Sequence, residues 1–368
     1  MIEANPLKGN YISEWFGQRI FPEVRLSDAS ITGNNWGLCP FLSGIQRERT
    51  QCIKGENSFG VCTINSLGVD TRKDWLVCPY RVIDSAIVKN GCETIFEGST
   101  SISPIPVSIL NDKKGMTLLE KGLEDNGRAV VFFQDKLGGE ISISGTRASP
   151  EIAFDVTVVE ITRTREGLKV GQYGFIEIQT MDFHGSYRRA VSNLRDAHRL
   201  HKRKFSRALR ENQSWMSENV EGPNIANVFK RTFYQTLLKF ELSRKGAAAG
   251  TILALPQSVW DSWQPFLGRP MIEQIEGSHY RIKGTDNDQY HGTRAWIFVF
   301  DLDEKSLEPI SPVDVAAKIR VSATDLIEHA FINVPKEMLR WATNEDNLLR
   351  RIRARIQRAL PDTEIAID

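Results

Sequence analysis

The chain has 368 residues, 41% of them hydrophobic and 25% charged, and a formal net charge of +1 at pH 7. This composition excludes a disordered or fibrous chain and leaves room for two folded domains, or for one large domain with an insertion. A balance so close to neutral also excludes a uniformly basic coat, so any affinity for nucleic acid must come from where the cations cluster.

In chain order, residues 1–17 hold no arginine and no apolar run, so neither a signal nor a transit peptide is read there. No stretch reaches the ~18 apolar residues that a membrane helix needs. A soluble, cytoplasmic protein with reduced thiols is the expectation. All five cysteines, Cys39, Cys52, Cys62, Cys78 and Cys92, lie in an N-terminal third rich in Gly, Asn, Ser and Thr. That third reads as short strands and loops over a thin core, a unit that needs a staple. A Ser/Pro-containing stretch at 98–109 marks a boundary, dividing the chain into 1–110 and 111–368. Beyond it a helix is predicted at 116–127, ending on a glycine, and strands at 129–134, 140–144, 151–162 and 173–180. The polar, Gly167-containing segment 163–169 turns the last two strands into a hairpin. Helices are predicted at 185–209 and 224–243, and an apolar strand at 295–302. Residues 347–360 form an amphipathic helix whose stripe, Leu348, Leu349, Ile352, Ile356 and Leu360, is expected to pack on the body and leave its arginines in solvent.

The chemistry concentrates on the hairpin. Asp155 falls in one predicted strand and Glu177-Ile178-Gln179 in the next. Residues 177 and 179 share a face of a strand. Carboxylates on adjacent strands can hold Mg²⁺, a hard cation that takes oxygen ligands, and Mg²⁺ polarises a phosphate and acidifies a bound water. In nucleases of this design the third position usually holds a lysine. The Gln179 amide cannot take a proton from water, but it can orient one. Glu140, after Gly138-Gly139, is a fourth member that would widen the metal site. A strand pair carrying two solvated acids is common, but the apolar flanks Phe154, Val156, Phe175, Ile176 and Ile178 argue for burial here, where acids need a partner.

Cys39, Cys52, Cys62 and Cys78 follow the spacing C-x12-C-x9-C-x15-C. Four thiols in a thin-cored unit suggest one tetrahedral site for iron or zinc, while the alternative is free cysteines filling small core spaces. From Arg188 to Arg210 the chain carries Arg188, Arg189, Arg195, Arg199, Lys202, Arg203, Lys204, Arg207 and Arg210 against a single acid, Asp196. Such a helix beside a phosphate-cutting site would grip the backbone, or it is simply a solvated face. Arg188, Arg189, Lys230 and Arg231 are the candidates for DNA contact. His184 reads as a structural histidine more readily than as a general acid.

At these residues the sequence resembles the NotI and EagI type II restriction endonucleases. The likeness runs through Cys39-Pro40-Phe41-Leu42, Asp74-Trp75-Leu76-Val77-Cys78-Pro79, Lys136-Leu137-Gly138-Gly139-Glu140 and Ser149-Pro150-Glu151 with Asp155. It continues through residues 177–187, 221–235, 256–260 and 296–300, and is weaker at the extreme N-terminus and after about Pro312. The resemblance implies an α/β fold, a PD-(D/E)xK core of mixed sheet flanked by helices with an N-terminal four-cysteine metal domain. It implies a Mg²⁺-dependent homodimer cutting a GC-rich palindrome that contains GGCC. It carries active-site roles onto Glu140, Asp155, Glu177 and Gln179, and a bound iron onto Cys39, Cys52, Cys62 and Cys78. Cys92 and the basic stretch near Lys202 depart from the pattern. The competing expectations are a metal-stapled DNA-binding protein that does not cut, and a repair or non-specific nuclease on the same core.

Overall fold

The computed structural model describes residues 9–26, 37–68, 71–83, 86–96, 102–244, 248–283, 294–303, 306–343, 347–361 and 363. The chain is mixed α/β, with a large mixed sheet flanked by helices. The first part builds an antiparallel sheet from β1 (Tyr11–Trp15), β2 (Gln18–Arg19), β3 (Val61–Leu67) and β4 (Arg72–Leu76), in the order β2-β1-β3-β4. Helix α1 (Pro40–Gln46) starts on Pro40, whose fixed backbone suits a first helical turn. Helices α2 (Tyr80–Ile83) and α3 (Ala86–Ile95) follow.

The second sheet has nine strands in the order β12-β13-β15-β14-β11-β10-β9-β6-β5. They are β5 (Ile105–Pro106), β6 (Arg128–Gln134), β9 (Val156–Thr164), β10 (Gly167–Ile178), β11 (Thr251–Pro256), β12 (Ile272–Glu276), β13 (His279–Ile282), β14 (Ala295–Leu302) and β15 (Val313–Arg320). Strands β9 and β10 form the predicted antiparallel hairpin, and β10, β11 and β14 run parallel to one another. A small pair, β7 (Ile141–Ile143) with β8 (Ile152–Phe154), stands beside the sheet. Helix α4 (Lys113–Asn126) is capped by Asp112, which accepts the Gly115 N–H at 2.7 Å, and stops at Gly127, whose φ of 68° places it in the left-handed region. The remaining helices are α5 (Arg188–His201), α6 (Phe205–Glu211), α7 (Ile225–Arg244), α8 (Gln257–Trp263), α9 (Ala323–Ile327), α10 (Val334–Thr343) and α11 (Asn347–Ala359). Among the described residues no helix is long and apolar enough to cross a membrane.

Alternation along the central strands gives the sheet two apolar faces. Leu253, Leu255, Ile297 and Val299 join one core with Phe229 and Phe233 of α7, Val191 and Leu194 of α5, and Tyr11, Trp15 and Trp75 of the first sheet. Ile252, Ala254, Ile176, Phe298 and Phe300 join the other with Phe41, Leu42, Ile87, Val88 and Cys92. The N-terminal third is therefore not thin-cored. Strand β1 is buried throughout, and its side chains share a core with helices that come after residue 187. Buried ion pairs reinforce the contact: Arg19 with Asp74, and Arg81 with Glu14 at 2.9 Å. Arg81 also donates to the Ser311 carbonyl, so it bridges the first sheet to the loop before β15.

Three predicted elements differ. The strand at 151–162 divides at Asp155: β8 pairs with β7, and β9 enters the large sheet. The helix at 185–209 breaks at Lys202, whose φ of 43° no α-helix accommodates, into α5 and α6 joined by a 3-10 turn over Lys202–Lys204. The tail stripe does not pack on the body. Leu348, Leu349, Ile352 and Ile356 on α11, and Leu360 just beyond it, are all exposed, and α10 is the neighbour of that helix.

Candidate active site

The end of β10 carries the site. Pairing of Ile176 with Val156 sets Glu177 opposite the break where Asp155 sits. Asp155 is partly buried, and its Oδ2 accepts the Ile178 N–H at 2.9 Å, which fixes the carboxylate between the two strands. Phe154 stacks on Phe175 with ring centroids 3.6 Å apart, so the residues that flank Asp155 and Glu177 are locked together. On the other side β11 runs parallel to β10, and the Gln179 N–H continues the ladder to the Ala254 carbonyl at 2.9 Å. The Met181 N–H donates to the Leu76 carbonyl at 2.8 Å, tying the loop after the site to the first sheet.

Helix α7 lies over these strands. Thr232, Gln235, Thr236 and Lys239 fall on one stripe at spacings of three and four residues. They line a cavity of about 260 Å³ with Asp155, Glu177, Gln179, Asp182 and Arg231. The Lys239 ammonium donates to Glu177 Oε2, whereas Glu177 Oε1 is buried and has no hydrogen-bond partner. Burial, and then the neighbouring Asp155 charge, push the Glu177 carboxyl up to about 7 against the pull of Lys239. Both ends of the Gln179 amide are engaged: Oε1 accepts the Thr232 hydroxyl proton, and Nε2 donates to the Thr180 carbonyl.

Glu140 reaches the site from its other side. The turn after β6 uses Gly138 and Gly139, at φ of 104° and 88°, values a side chain rarely adopts. It brings Glu140 to a second cavity of about 150 Å³ that it shares with Asp155, Asp135 and Tyr80. Glu140 is exposed, but the desolvation it meets there, then Asp155 and Asp135, raise its carboxyl, while Lys239 and Lys136 oppose the rise. Asp155, Glu177 and Gln179 thus line one cavity, and Glu140 meets Asp155 in the second. Their oxygens are of the hard kind that Mg²⁺ takes, and Glu177 Oε1 has no hydrogen-bond partner.

The four cysteines of the spacing pattern also gather, in the first part of the chain. Cys39 precedes α1, Cys52 donates its N–H to the Gly37 carbonyl at 2.8 Å, Cys62 lies in β3, and Cys78 follows β4. Burial pushes the Cys39 thiol up to about 11, with smaller upward contributions from Cys78 and Cys52. Burial also raises Cys62 and Cys78, and each of these feels another thiol of the set. Lys54 is close to both, with its ammonium on the Val61 and Val77 carbonyls at 2.8 and 2.9 Å. Soft thiols in such a group suit a thiophilic cation. Among the described residues, no three or more of His, Cys, Asp and Glu close to ligand distance about one point. Cys92 stands apart, buried on α3 against the large sheet, and fills core space.

The expected DNA contacts are placed unequally. Arg231 lines the mouth of the main cavity and pairs with Asp182 at 2.9 Å, with Lys230 exposed beside it. Arg188 and Arg189 are exposed in the first turn of α5, and Arg189 meets Glu218 at 3.4 Å. His184 is exposed, and it is not among the residues lining the cavity. Sequence reasoning missed Lys239 and Thr232. The available signal was the polar series Thr232, Thr236, Lys239 and Ser243, buried on an otherwise apolar side of the helix. The chain matches no protein-family model and no curated protein.

Proposed function

We propose that the chain is a type II restriction endonuclease with a PD-(D/E)xK core, hydrolysing both strands of DNA with Mg²⁺. The observation that carries this reading is the Asp155–Glu177 pair, held across a strand break with one buried carboxylate oxygen left open. Asp155 and Glu177 would hold the metal, with Glu140 extending its shell. Bound Mg²⁺ supplies a polarised phosphate oxygen and an acidified water. Gln179 has no proton-accepting group of its own at neutral pH, and its amide orients water by hydrogen bonds. Arg231 at the cavity and the exposed Lys230 next to it in sequence, with Arg188 and Arg189 on α5, grip phosphates and set the register of the duplex.

The target on this reading is a GC-rich palindrome containing GGCC, and the working unit is a homodimer, since a two-fold pair of sites matches a two-fold target. The N-terminal thiols Cys39, Cys52, Cys62 and Cys78 would hold one structural iron or zinc. Metal analysis of purified protein should then return about one such ion per chain. Metal-free protein of unchanged stability would sink that assignment.

The direct test is digestion of a sequenced GC-rich genome in Mg²⁺. Discrete fragments sharing one end sequence are expected. A smear or scattered nicks would point to a repair or non-specific nuclease, and gel retardation without cleavage to a DNA-binding protein.

A further inference from the structure

The site contains a cation that no strand supplies. Position 179, two residues beyond Glu177, holds an amide committed to Thr232 and Thr180. Of the two cations lining the cavity, Arg231 is exposed and tied to Asp182, whereas Lys239 is only 4% exposed. An ammonium buried this deeply is costly unless it is paired. Its partner is Glu177 Oε2, and its Nζ also lies 5.4 Å from the centroid of the Phe154 ring. The other Glu177 oxygen has no partner. One carboxylate therefore has one oxygen held by a removable cation and one oxygen open.

We infer that Lys239 is a catalytic residue of this site, delivered from helix α7 in place of a strand lysine. It neutralises Glu177 in the metal-free protein, and moves onto the scissile phosphate once Glu177 turns its oxygens to a divalent cation. The inference rests on the nuclease reading. The flexible four-carbon stem lets the ammonium move within the cavity while the helix keeps its backbone fixed. The ammonium keeps its three protons throughout: it exchanges an N–H bond to a carboxylate oxygen for one to a phosphate oxygen, and no covalent bond changes. A lysine that served only to neutralise Glu177 would also be displaced by the metal, but duplex DNA would not shield it again.

Two measurements on the full chain test this. In the first, surface and released lysines are acetylated with an amine-reactive ester, with and without Ca²⁺, and each site is read by mass spectrometry. Lys239 modification should rise at least fivefold in Ca²⁺ and fall again when duplex DNA is added. In the second, Lys239→Met should lose about 10²-fold in kcat, with DNA affinity in Ca²⁺ held within about threefold. Acetylation indifferent to Ca²⁺, or a Met variant that cuts within threefold of wild type, overturns the role. Equal loss of binding and cutting by a folded Met variant also overturns it, because that is the pattern of a structural residue. If Lys239→Met does not fold, the acetylation of wild type decides. If wild type cuts no DNA, the nuclease reading falls on that result, and Ca²⁺-dependent release of Lys239 still decides whether the ammonium gives way to a metal.

Discussion

Asp155→Asn is expected to reduce DNA cutting by about 10³-fold, a loss of about 4 kcal/mol in transition-state stabilisation. Binding of cognate DNA in Ca²⁺ should stay within about threefold of wild type. The substitution keeps the shape of the side chain and an oxygen that can accept the Ile178 N–H, so the strand break should hold its geometry. What it removes is a full negative charge, which the proposed metal site needs and the fold does not. Glu177→Gln should give a similar loss of cutting and a larger loss of stability, because it leaves the Lys239 ammonium buried against a neutral amide. Single-turnover cleavage in Mg²⁺, with filter binding in Ca²⁺, separates the two effects. Wild-type cutting by Asp155→Asn would show that the Asp155–Glu177 pair has another purpose.

The second large effect concerns the fold. Arg81→Met should cost about 3–5 kcal/mol, because it leaves Glu14 fully buried without its counter-ion. For a chain of this size that is a fall of about 5 °C in the melting midpoint. The Ser311 carbonyl also loses its donor, so the link between the first sheet and the loop before β15 weakens. Pairing the change with Glu14→Met should restore most of the loss, since replacing both charges removes the unpaired group as well as the bridge. Thermal melts of the single and double variants provide the check, and a single variant as stable as wild type would show that the ion pair is not what holds the two sheets together.

The carboxylate hairpin was readable because its signal is local. Residues 156–164 and 167–178 are adjacent in sequence, the first is rich in Val and Ile, and Gly167 marks the turn. The break at Asp155 was not readable. Phe154 and Val156 are both apolar and buried, so the pattern runs smoothly through a point where the chain passes from one sheet to another. Strand β11, at the centre of the sheet, is short and ends on Pro256, which argues against a central strand in sequence terms. That proline sits at the last paired position. Lys239 was hidden for a different reason. It lies on another element, and only the tertiary packing of α7 over β10 joins it to Glu177. Amphipathicity located the tail helix α11, but the expectation that its apolar stripe packs on the body failed, and the structure leaves that side exposed.

One feature of the connectivity bears on how such a protein can change over generations. The chain leaves the site at Phe183 and returns at Pro223, where the two residues form an antiparallel bridge. The bonds His184 N–H to Gly222 carbonyl (3.0 Å) and Asn224 N–H to Asp182 carbonyl (2.8 Å) close the neck on either side. Everything between, including the basic helices α5 and α6, begins and ends at one point. Lengthening such an excursion costs little in closure entropy, since that cost grows only with the logarithm of its length. Insertions and exchanges can therefore accumulate there while the carboxylates keep their positions, provided that Val191, Leu194 and Phe205 or their replacements still cover Trp15. The arm is a replaceable part, and the chemistry beside it can be inherited unchanged.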